Sequence, residues 1–456
     1  MNPKVTRLLG LFLLLLIGFV MFYERPKMAE ELTAAEAEKA FLAVTRQTVA
    51  KFTIQNRFGK FVAEKRGNQW YILEPVETPG DWEQFESMVT GARAVERGRV
   101  IVDETAYATT DLTAFGLNPP QVELRFEDLA GDDIWLLFGD DNPAGRAAYL
   151  NWSGANQVVL TQRSNRNRFD SQLLDLREKH ILPFDLDQVQ QIVLTHGGKT
   201  FEMVRNGFKW QIVQPGRYMG DASEINNILG TVRSERLVEV VAETFDDPSK
   251  YGFDYPSYHL TLVDKKGDRR SLVLGKSVED ARLKLWYAHT SERPYVFQVE
   301  PFMTDFLTID LSDIRYKRVF EFDRDGIDRI QLAYPDSTVI CHLENNQWVV
   351  DAPADQQVSS SIVGQWIDRV HTMAVEDFIG PVEALGQYGL ASPNLIVSLW
   401  RNEQLVREVS VGEKRQIWYG QMDGSPEVFQ FDSGVLSGLR LPLVVKPKLG
   451  TQLGAE

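Results

Sequence analysis

The sequence predicts an α+β fold class, namely a single N-terminal transmembrane helix followed by three tandem α+β repeats, each a largely antiparallel sheet with a helix. Three observations lead to this prediction. A tryptophan–proline motif occurs three times at a nearly constant period, a pair of glycines follows each copy at a fixed spacing, and an uncharged apolar run lies close to the N-terminus. Self-similarity at a fixed period indicates repeated structural units before any local argument is made.

The tryptophan–proline motif reads Trp, an apolar residue two positions later, and Pro five positions later. The interval from the first tryptophan to the second is nearly equal to that from the second to the third. One active site rarely needs to be built three times, and large aromatics are most often buried. We therefore interpret the tryptophan as a core anchor in preference to a ligand-stacking residue. The copies are Trp70 with Pro75, Trp210 with Pro215, and Trp348 with Pro353.

A second motif follows each copy, in which Phe or Tyr precedes a glycine and a proline lies four positions after that glycine. Another glycine follows the first at an identical spacing in all three copies. We expect the first glycine to adopt a positive φ or a tight turn, which glycine does without a steric penalty. The residues are Gly116, Pro120 and Gly139, then Gly252, Pro256 and Gly275, then Gly389, Pro393 and Gly412.

Between the two motifs, apolar residues recur at spacings of three and four, which predicts one amphipathic helix in each copy. Asp81, Asp221 and Ser359 directly precede the three stripes, the third of which has Ser360 at its first position. Each of these side chains can accept a hydrogen bond from a free backbone N–H of the first turn, so they are the predicted N-caps. The stripes are Trp82, Phe85, Met88, Val89 and Ala92, then Ala222, Ile225, Ile228, Leu229 and Val232, then Val363, Trp366, Ile367 and Val370.

After each Gly–Pro corner, apolar and polar residues alternate strictly, which predicts a strand with one buried face. A further strand is expected to end at the second glycine of each copy, and two strand-like runs precede each tryptophan. The alternating residues are Val122, Leu124 and Phe126, then Tyr258, Leu260 and Leu262, then Leu395, Val397 and Leu399.

Consecutive copies are joined by a short segment in which Asp185 and Asp187 match Asp323 and Asp325. With Asp328 these carboxylates resemble half of a calcium loop, but the full set needs a distant bidentate Glu, so turn capping is the favoured interpretation. The predicted domains are a membrane anchor at 1–27, a helical stalk at 28–45, repeats at 46–184, 185–322 and 323–445, and a tail at 446–456.

Residues 8–23 contain no charged side chain and follow Lys4 and Arg7. At about 1.5 Å per residue this run nearly spans the apolar core of a bilayer. A cleaved signal peptide is the alternative, but cleavage requires small residues shortly after the run, and the sequence there is Tyr-Glu-Arg-Pro-Lys. We therefore expect an uncleaved anchor in the membrane, with the rest of the chain outside the cytoplasm.

The composition limits the classes of function. A net charge of −15 argues against a nucleic-acid partner, which requires a basic surface. The single cysteine, Cys341, alternates with apolar residues and is expected to be a buried core thiol. The six histidines do not fall into metal-ligand spacings, and the acidic run at Gly139, Asp140 and Asp141 is interpreted as a polar hairpin tip. No catalytic residue, cofactor or metal is predicted.

Taken together, the Trp-x-[Ile/Val]-x-x-Pro motif, the helix, the [Phe/Tyr]-Gly-[Leu/Phe]-x-x-Pro corner, the strand ending in Gly and a closing Leu-Arg-x-Lys resemble an uncharacterised domain-of-unknown-function family. The resemblance covers about residues 46–445, and the third copy departs from it at Pro442. It implies a bacterial protein with one N-terminal anchor in the inner membrane and a periplasmic body. It also implies that the protein is encoded beside gliding-motility-type ABC transporter subunits. The family provides no catalytic residues.

These observations favour a non-enzymatic accessory subunit of an ABC transporter or of another envelope complex. Its expected partners are transporter permease and ATPase subunits or other envelope proteins, with the inner membrane contacted through residues 8–23. Two alternatives remain open. The first is a module that binds extended polymers such as glycans through exposed aromatics. The second is an envelope hydrolase, which would place a non-repeated cluster of carboxylates or histidines in a cleft.

Overall fold

The computed structural model describes residues 45–279 and 284–446. The chain divides after His180 into two compact units, which we call the first unit and the second unit. In its described part, the first unit contains one nine-stranded antiparallel sheet, whereas the described part of the second unit contains a nine-stranded and an eight-stranded antiparallel sheet. Each of the three sheets includes one copy of the repeated motifs.

The sheet of the first unit has the strand order β4-β3-β2-β1-β6-β7-β8-β9-β5, so that two meanders meet at the β1–β6 pair. Its strands are β1 (Val49–Asn56), β2 (Gly59–Arg66), β3 (Gln69–Glu74), β4 (Thr78–Gly80), β5 (Val100–Val102), β6 (Val122–Asp128), β7 (Asp133–Asp141), β8 (Ala147–Trp152) and β9 (Val158–Gln162).

The first sheet of the second unit has the corresponding order β13-β12-β11-β10-β15-β16-β17-β18-β14. Its strands are β10 (Val189–His196), β11 (Lys199–Asn206), β12 (Lys209–Gln214), β13 (Tyr218–Gly220), β14 (Glu239–Ala242), β15 (Tyr258–Asp264), β16 (Arg269–Glu279), β17 (Lys284–Thr290) and β18 (Val296–Val299).

The second sheet of the second unit has the order β21-β20-β19-β24-β25-β26-β27-β23 and lacks the short edge strand of the other two. The strand at that place, β22, pairs with β28 in a separate two-stranded sheet. The strands are β19 (Arg329–Ala333), β20 (Thr338–Glu344), β21 (Gln347–Ala352), β22 (Gln356–Gln357), β23 (Asp377–Pro381), β24 (Leu395–Arg401), β25 (Gln404–Lys414), β26 (Ile417–Met422), β27 (Glu427–Phe431) and β28 (Val444–Val445).

Within residues 45–279 and 284–446, one long helix accompanies each sheet, namely α1 in the first unit and α5 and α9 in the second, and the other helices are short. The helices are α1 (Trp82–Arg93), α2 (Glu104–Tyr107), α3 (Arg163–Asn167), α4 (Leu173–Leu176), α5 (Ala222–Ser234), α6 (Pro248–Tyr251), α7 (Phe302–Leu307), α8 (Leu311–Ile314), α9 (Ser360–Thr372) and α10 (Val435–Leu439), with 3₁₀ turns at Leu112–Phe115 and Leu385–Tyr388.

The helix positions and their caps are confirmed. The side chains of Asp81, Asp221 and Ser359 accept hydrogen bonds from backbone N–H groups of α1, α5 and α9. The predicted stripe of α1 faces the sheet, where the ring of Phe85 stacks on Trp70 at 5.1 Å and meets Phe52 edge-on at 5.9 Å. Each core is therefore one helix packed on one face of a large sheet, stabilised chiefly by burial of apolar surface.

The predicted α+β fold class is wrong. The described chain is mostly antiparallel sheet, with eight or nine strands in each large sheet and few helices. The sequence indicated the central strands through their strict alternation. It underestimated the sheet because the strands after the second glycine and the short edge strands carry weak alternation. Val158–Gln162 of β9, for example, is nearly continuously buried, a pattern that periodicity alone does not separate from a helix segment.

The predicted membrane helix and the inner-membrane location derived from it are also corrected. Within residues 45–279 and 284–446, no helix is long and apolar enough to cross a membrane. The longest described helices have 13 residues, or about 20 Å, against an apolar bilayer core of about 30 Å. The apolar run at 8–23 and residues 28–44 of the predicted stalk at 28–45 lie outside the described residues. The single-pass assignment is accordingly withdrawn.

Candidate functional site

The recurring tryptophans are placed similarly in the three sheets but differ in their polar contacts. Trp70 and Trp210 are 0% and 1% exposed, whereas Trp348 is half-buried. The indole N–H of Trp70 donates to Glu86 at 3.0 Å, and that of Trp210 donates to Asn226 at 3.3 Å. Because the rings of Trp70 and Trp210 are buried, a ligand cannot stack on them.

Glu86 is a buried carboxylate on α1, and its charge is compensated locally. Lys65 donates to its Oε1 at 2.9 Å, and Arg46 lies 3.7 Å from its Oε2. The Lys65 ammonium also lies 4.5 Å from the ring centre of Trp82. Because a buried charge requires such partners, this cluster secures the Trp70 indole and the first turns of α1 on the sheet, which is a structural role.

The recurring prolines and first glycines form the turns of each copy. The peptide bonds before Pro75, Pro215 and Pro353 are cis, as is the bond before Pro119. Pro120, Pro256 and Pro393 lie in the segments that lead into β6, β15 and β24. The first glycines have the predicted positive φ, which is +61° at Gly116, +80° at Gly252 and +73° at Gly389.

The second glycines are explained by close packing of backbone on backbone. A Cβ added at Gly139 would overlap the carbonyl oxygen of Phe115, and one added at Gly275 would overlap that of Tyr251. At Gly412 the overlap would be with the carbonyl group of Gly389. The constant spacing between the two glycines of each copy therefore reflects a strand that passes directly against the preceding corner, where only glycine fits.

The aspartates between copies cap turns, as predicted. Asp185 accepts a hydrogen bond from the backbone N–H of Asp187 at 3.0 Å, and Asp323 accepts one from that of Asp325 at 3.2 Å. Arg401 donates to the backbone carbonyls of both residues of the second pair. Among the described residues, no group of His, Cys, Asp and Glu side chains is arranged to hold a metal ion.

A polar cleft of about 560 Å³ in the first unit contains charged residues that occur in one copy only. Arg166 and Arg163 lie 2.8 and 3.3 Å from the carboxylate of Asp141, and Arg57 lies 3.0 Å from that of Asp170. The hydrolase alternative requires a non-repeated carboxylate cluster of this kind. Here Asp141 and Asp170 are both engaged by arginines, and these ion pairs connect the β7–β8 hairpin and the β1–β2 turn to the region of α3.

In the second unit, Arg315 joins the two sheets. Its guanidinium donates two hydrogen bonds of 2.7 Å to the carboxylate of Glu427 in β27. The same group lies 4.0 Å from the ring centre of Tyr218 and 3.5 Å from that of Phe378. The Arg315 side chain is only 9% exposed. A bidentate ion pair held between two aromatic rings fixes β13 against β23 and β27.

Two adjoining clefts, of about 250 and 450 Å³, lie on either side of Tyr218 and Met219, which line both. The smaller cleft extends from the Arg315 junction to Arg318 and Phe378, and the larger one covers the β11–β12 hairpin up to Lys209 and Arg217. We call the combined surface the junction groove. Its lining includes Lys209, Arg217, Tyr218, Met219, Arg318 and Phe378.

An exposed aromatic side chain stands beside this groove. Phe208, at the tip of the β11–β12 hairpin between the groove residues Asn206 and Lys209, is 95% exposed. Met219 is 45% exposed. Asn68 and Asn346 occupy the tip position of Phe208 in the other two copies, two positions before the tryptophan. Phe208 therefore adds an exposed aromatic ring beside the groove at a position that is polar in the other two copies.

The Domain of unknown function (DUF4340) family matches three segments of the chain, residues 70–209, 210–344 and 348–441. Together they account for most of its 456 residues. The chain belongs to the DUF4340 family. Its resemblance to an uncharacterised domain family is thereby confirmed, although the match says nothing about ABC transporter components. No curated protein matches this DUF4340 chain in sequence.

Among solved structures, this DUF4340 chain is similar at low scores to bacterial sliding clamps. A DNA polymerase III subunit beta from Pseudomonas aeruginosa gives a TM-score of 0.13 at 8% identity, covering 87% of this chain and 94% of that chain. The subunit from Thermotoga maritima gives 0.11 at 8% identity with coverages of 87% and 94%, and that from Borrelia burgdorferi gives 0.12 at 6% with 88% and 96%. Similarity at TM-scores this low supports no conclusion about the fold or the function of the DUF4340 chain.

Sequence reasoning missed a buried carboxyl group in the second DUF4340 copy. Glu235, directly after α5, is 4% exposed, and the corresponding residues of the other copies are Val95 and Met373. Burial, followed by the nearby charge of Glu300, raises the pKa of Glu235 to about 7, and a hydrogen bond from the Glu300 backbone opposes the shift. The sequence signal that could have revealed it is an acidic residue at a position where the other two copies have Val95 and Met373.

The raised pKa of Glu235 predicts a pH-dependent stability. Its ordinary pKa is 4.5, so the folded DUF4340 chain binds this proton more tightly than the unfolded chain does. The contribution of Glu235 to the free energy of unfolding should be greatest below pH 4.5 and should fall as the pH rises to about 7, by up to about 3 kcal/mol. The variant E235Q should lack this decrease, so that it exceeds the natural chain in stability at pH 8 and equals it at pH 4.5.

Urea unfolding at a series of pH values checks this expectation. The matched control is E239Q, the same chemical change at an exposed position four residues later. Parallel stability profiles for E235Q and the natural DUF4340 chain between pH 4.5 and pH 8 would contradict the assignment.

Proposed function

We propose that this DUF4340 chain is a non-catalytic accessory subunit that binds other proteins of a larger assembly, and that ABC transporter permease and ATPase subunits are its partners. One observation carries the proposal. Three copies of one sheet retain the same interior residues, such as the glycines beneath the corners, while their exposed tips differ, as at Asn68, Phe208 and Asn346. Tandem copies with a constant interior and individual surfaces are typical of binding scaffolds.

The contacts of the recurring residues support a scaffold. Trp70 and Trp210 are closed to solvent and to ligands, which weighs against the alternative in which these rings stack on a glycan. In the polar cleft of the first unit, arginines engage Asp141 and Asp170, which favours a structural use of these carboxylates. The choice of transporter subunits as partners is based on the sequence resemblance to a family whose members are encoded beside such transporters.

Affinity purification from the native host tests the proposal. Tagged full-length protein should recover one transporter ATPase and one permease in amounts comparable to its own, as measured by quantitative mass spectrometry. The same purification from cells that lack the transporter genes is the control, and the two proteins should be absent from it. Recovery of the chain without either subunit, in cells that express both, would contradict the proposal.

A further inference from the structure

The charge of the junction groove is opposite to that of the whole chain. The two clefts that form it are lined by five basic side chains, Lys209, Arg217, Arg315, Arg318 and Arg407, and by two acidic ones, Glu321 and Glu427. The chain as a whole carries a net charge of −15. A locally positive groove on an acidic protein concentrates the field on this surface and attracts anionic groups.

Three of these cations are available to a ligand. Arg315 is committed to Glu427, and Arg407 donates to the backbone carbonyl of Glu321 at 2.7 Å. Lys209, Arg217 and Arg318 are exposed, and within the described part of the chain no carboxylate lies within ion-pair distance of them. A ligand that carries several negative charges could form ion pairs with these cations on both sides of the groove.

Apolar side chains lie between these cations. Tyr218, Met219 and Phe378 line the groove, and Phe208 projects from the hairpin at its end. A free phosphate or a purely acidic polymer would leave these surfaces exposed to water. A segment with acidic and apolar residues would bury them and neutralise the cations at the same time, as exposed aromatic and arginine anchors do in protein interfaces.

We propose that the junction groove binds an acidic segment of a partner protein in which Glu or Asp residues are interspersed with large apolar ones. This inference rests on the proposed function, because it names the partner chemistry of a protein-binding subunit. The carboxylates contact Arg217, Arg318 and Lys209, and the apolar residues pack on Met219, Tyr218 and Phe208. The Arg315–Glu427 pair holds the two walls of the groove in place and takes no part in the binding itself.

Fluorescence anisotropy with full-length protein tests the inference. The probe is a labelled short peptide of alternating Glu and Phe, compared with peptides of alternating Ser and Phe, of alternating Lys and Phe, and of Glu alone. The Glu–Phe peptide should bind most tightly, and its affinity should fall as the salt concentration rises from about 0.05 to about 0.5 M. Equal affinity for the Ser–Phe, Lys–Phe or all-Glu peptide would overturn the proposal.

Two variants locate the binding surface. R217E/R318E should weaken binding of the Glu–Phe peptide by about tenfold or more, because two attractions become repulsions. F208S should weaken it by about tenfold through loss of an aromatic anchor. The matched control is K265E/K266E, the same charge change on exposed lysines of the β15–β16 hairpin, outside the groove, which should stay within about twofold. Equal losses in the control and the groove variant would overturn the proposal.

The outcome separates this inference from the proposed function. If the tagged natural chain recovers its partners and R217E/R318E recovers them equally well, the groove assignment is wrong and the accessory role stands. If the peptide binds at the groove but no partner is recovered, the accessory role is wrong and the groove assignment stands. A concentration-dependent dimer that R217E/R318E abolishes would assign the groove to a second copy of this chain and overturn the inference.

Discussion

Replacing Arg315 by alanine is expected to lower the free energy of unfolding of the second unit by about 3–5 kcal/mol. The guanidinium is nearly buried, makes two hydrogen bonds to Glu427 and lies between the rings of Tyr218 and Phe378. Its removal leaves the Glu427 carboxylate, which is 23% exposed, without its partner and opens a space between the two rings. R315K should give an intermediate loss, because an ammonium cannot form the planar two-point contact.

The matched control for Arg315 is R440A, since Arg440 ends the third copy at the corresponding position and is exposed. R440A should change the stability by less than about 0.5 kcal/mol. Urea titration read by hydrogen exchange of β13, β23 and β27 reports on the second unit directly. A loss in R315A no larger than that in R440A would show that the junction does not depend on this side chain.

Replacing Gly275 by alanine is expected to destabilise the second unit by about 3 kcal/mol. The new methyl group would overlap the Tyr251 carbonyl oxygen, which belongs to the backbone and cannot rotate away. Either β16 or the corner at Tyr251 and Gly252 must shift, and the pairing of β15 with β16 ends at Leu274, directly beside this contact. The loss should appear as a lower urea midpoint and faster hydrogen exchange in β15 and β16.

Replacing a glycine by alanine within a helix should instead raise the stability of the protein. Gly230 lies within α5, and a Cβ added there would meet no atom within 4 Å beyond the neighbouring helix backbone. G230A should therefore raise the stability by about 0.5–1 kcal/mol, because alanine loses less conformational entropy in a helix than glycine does. If G275A and G230A shifted the urea midpoint in the same direction, the close-packing explanation of the second glycines would be incorrect.

The features that could be predicted from the sequence are those set by neighbouring residues. Asp81, Asp221 and Ser359 cap their helices because a cap involves only the next three residues. The positive φ of Gly116 and Gly252 is likewise a local property of the corner. Cys341 is buried as expected, and burial, together with the charge of Asp351, raises the pKa of its thiol to about 11.

The features that could not be predicted depend on contacts between distant segments. Arg315 and Glu427 are 112 residues apart in the chain, and the period of the repeat says nothing about how one copy packs on the next. The junction groove was missed for the same reason, since Arg217 precedes β13 and Arg318 follows α8, in connecting segments about 100 residues apart. Phe208 could have been noticed, because aligning the three tips shows an aromatic residue where the other copies have asparagine.

The tryptophan strand is the third strand of each copy along the chain, yet the family segments begin at or near the tryptophans, at residues 70, 210 and 348. The sequence unit and the folded unit therefore have similar lengths but different starting points. The family boundary at residue 210 lies inside β12. It assigns β10 and β11 to the preceding segment, although they lie between β12 and β15 in the same sheet. A segment excised along the family boundaries would combine the end of one sheet with the beginning of the next. The first copy separates from the rest after His180. Phe320 and Phe322 belong to the core of the third copy, so a cut between the second and third copies has to fall before them.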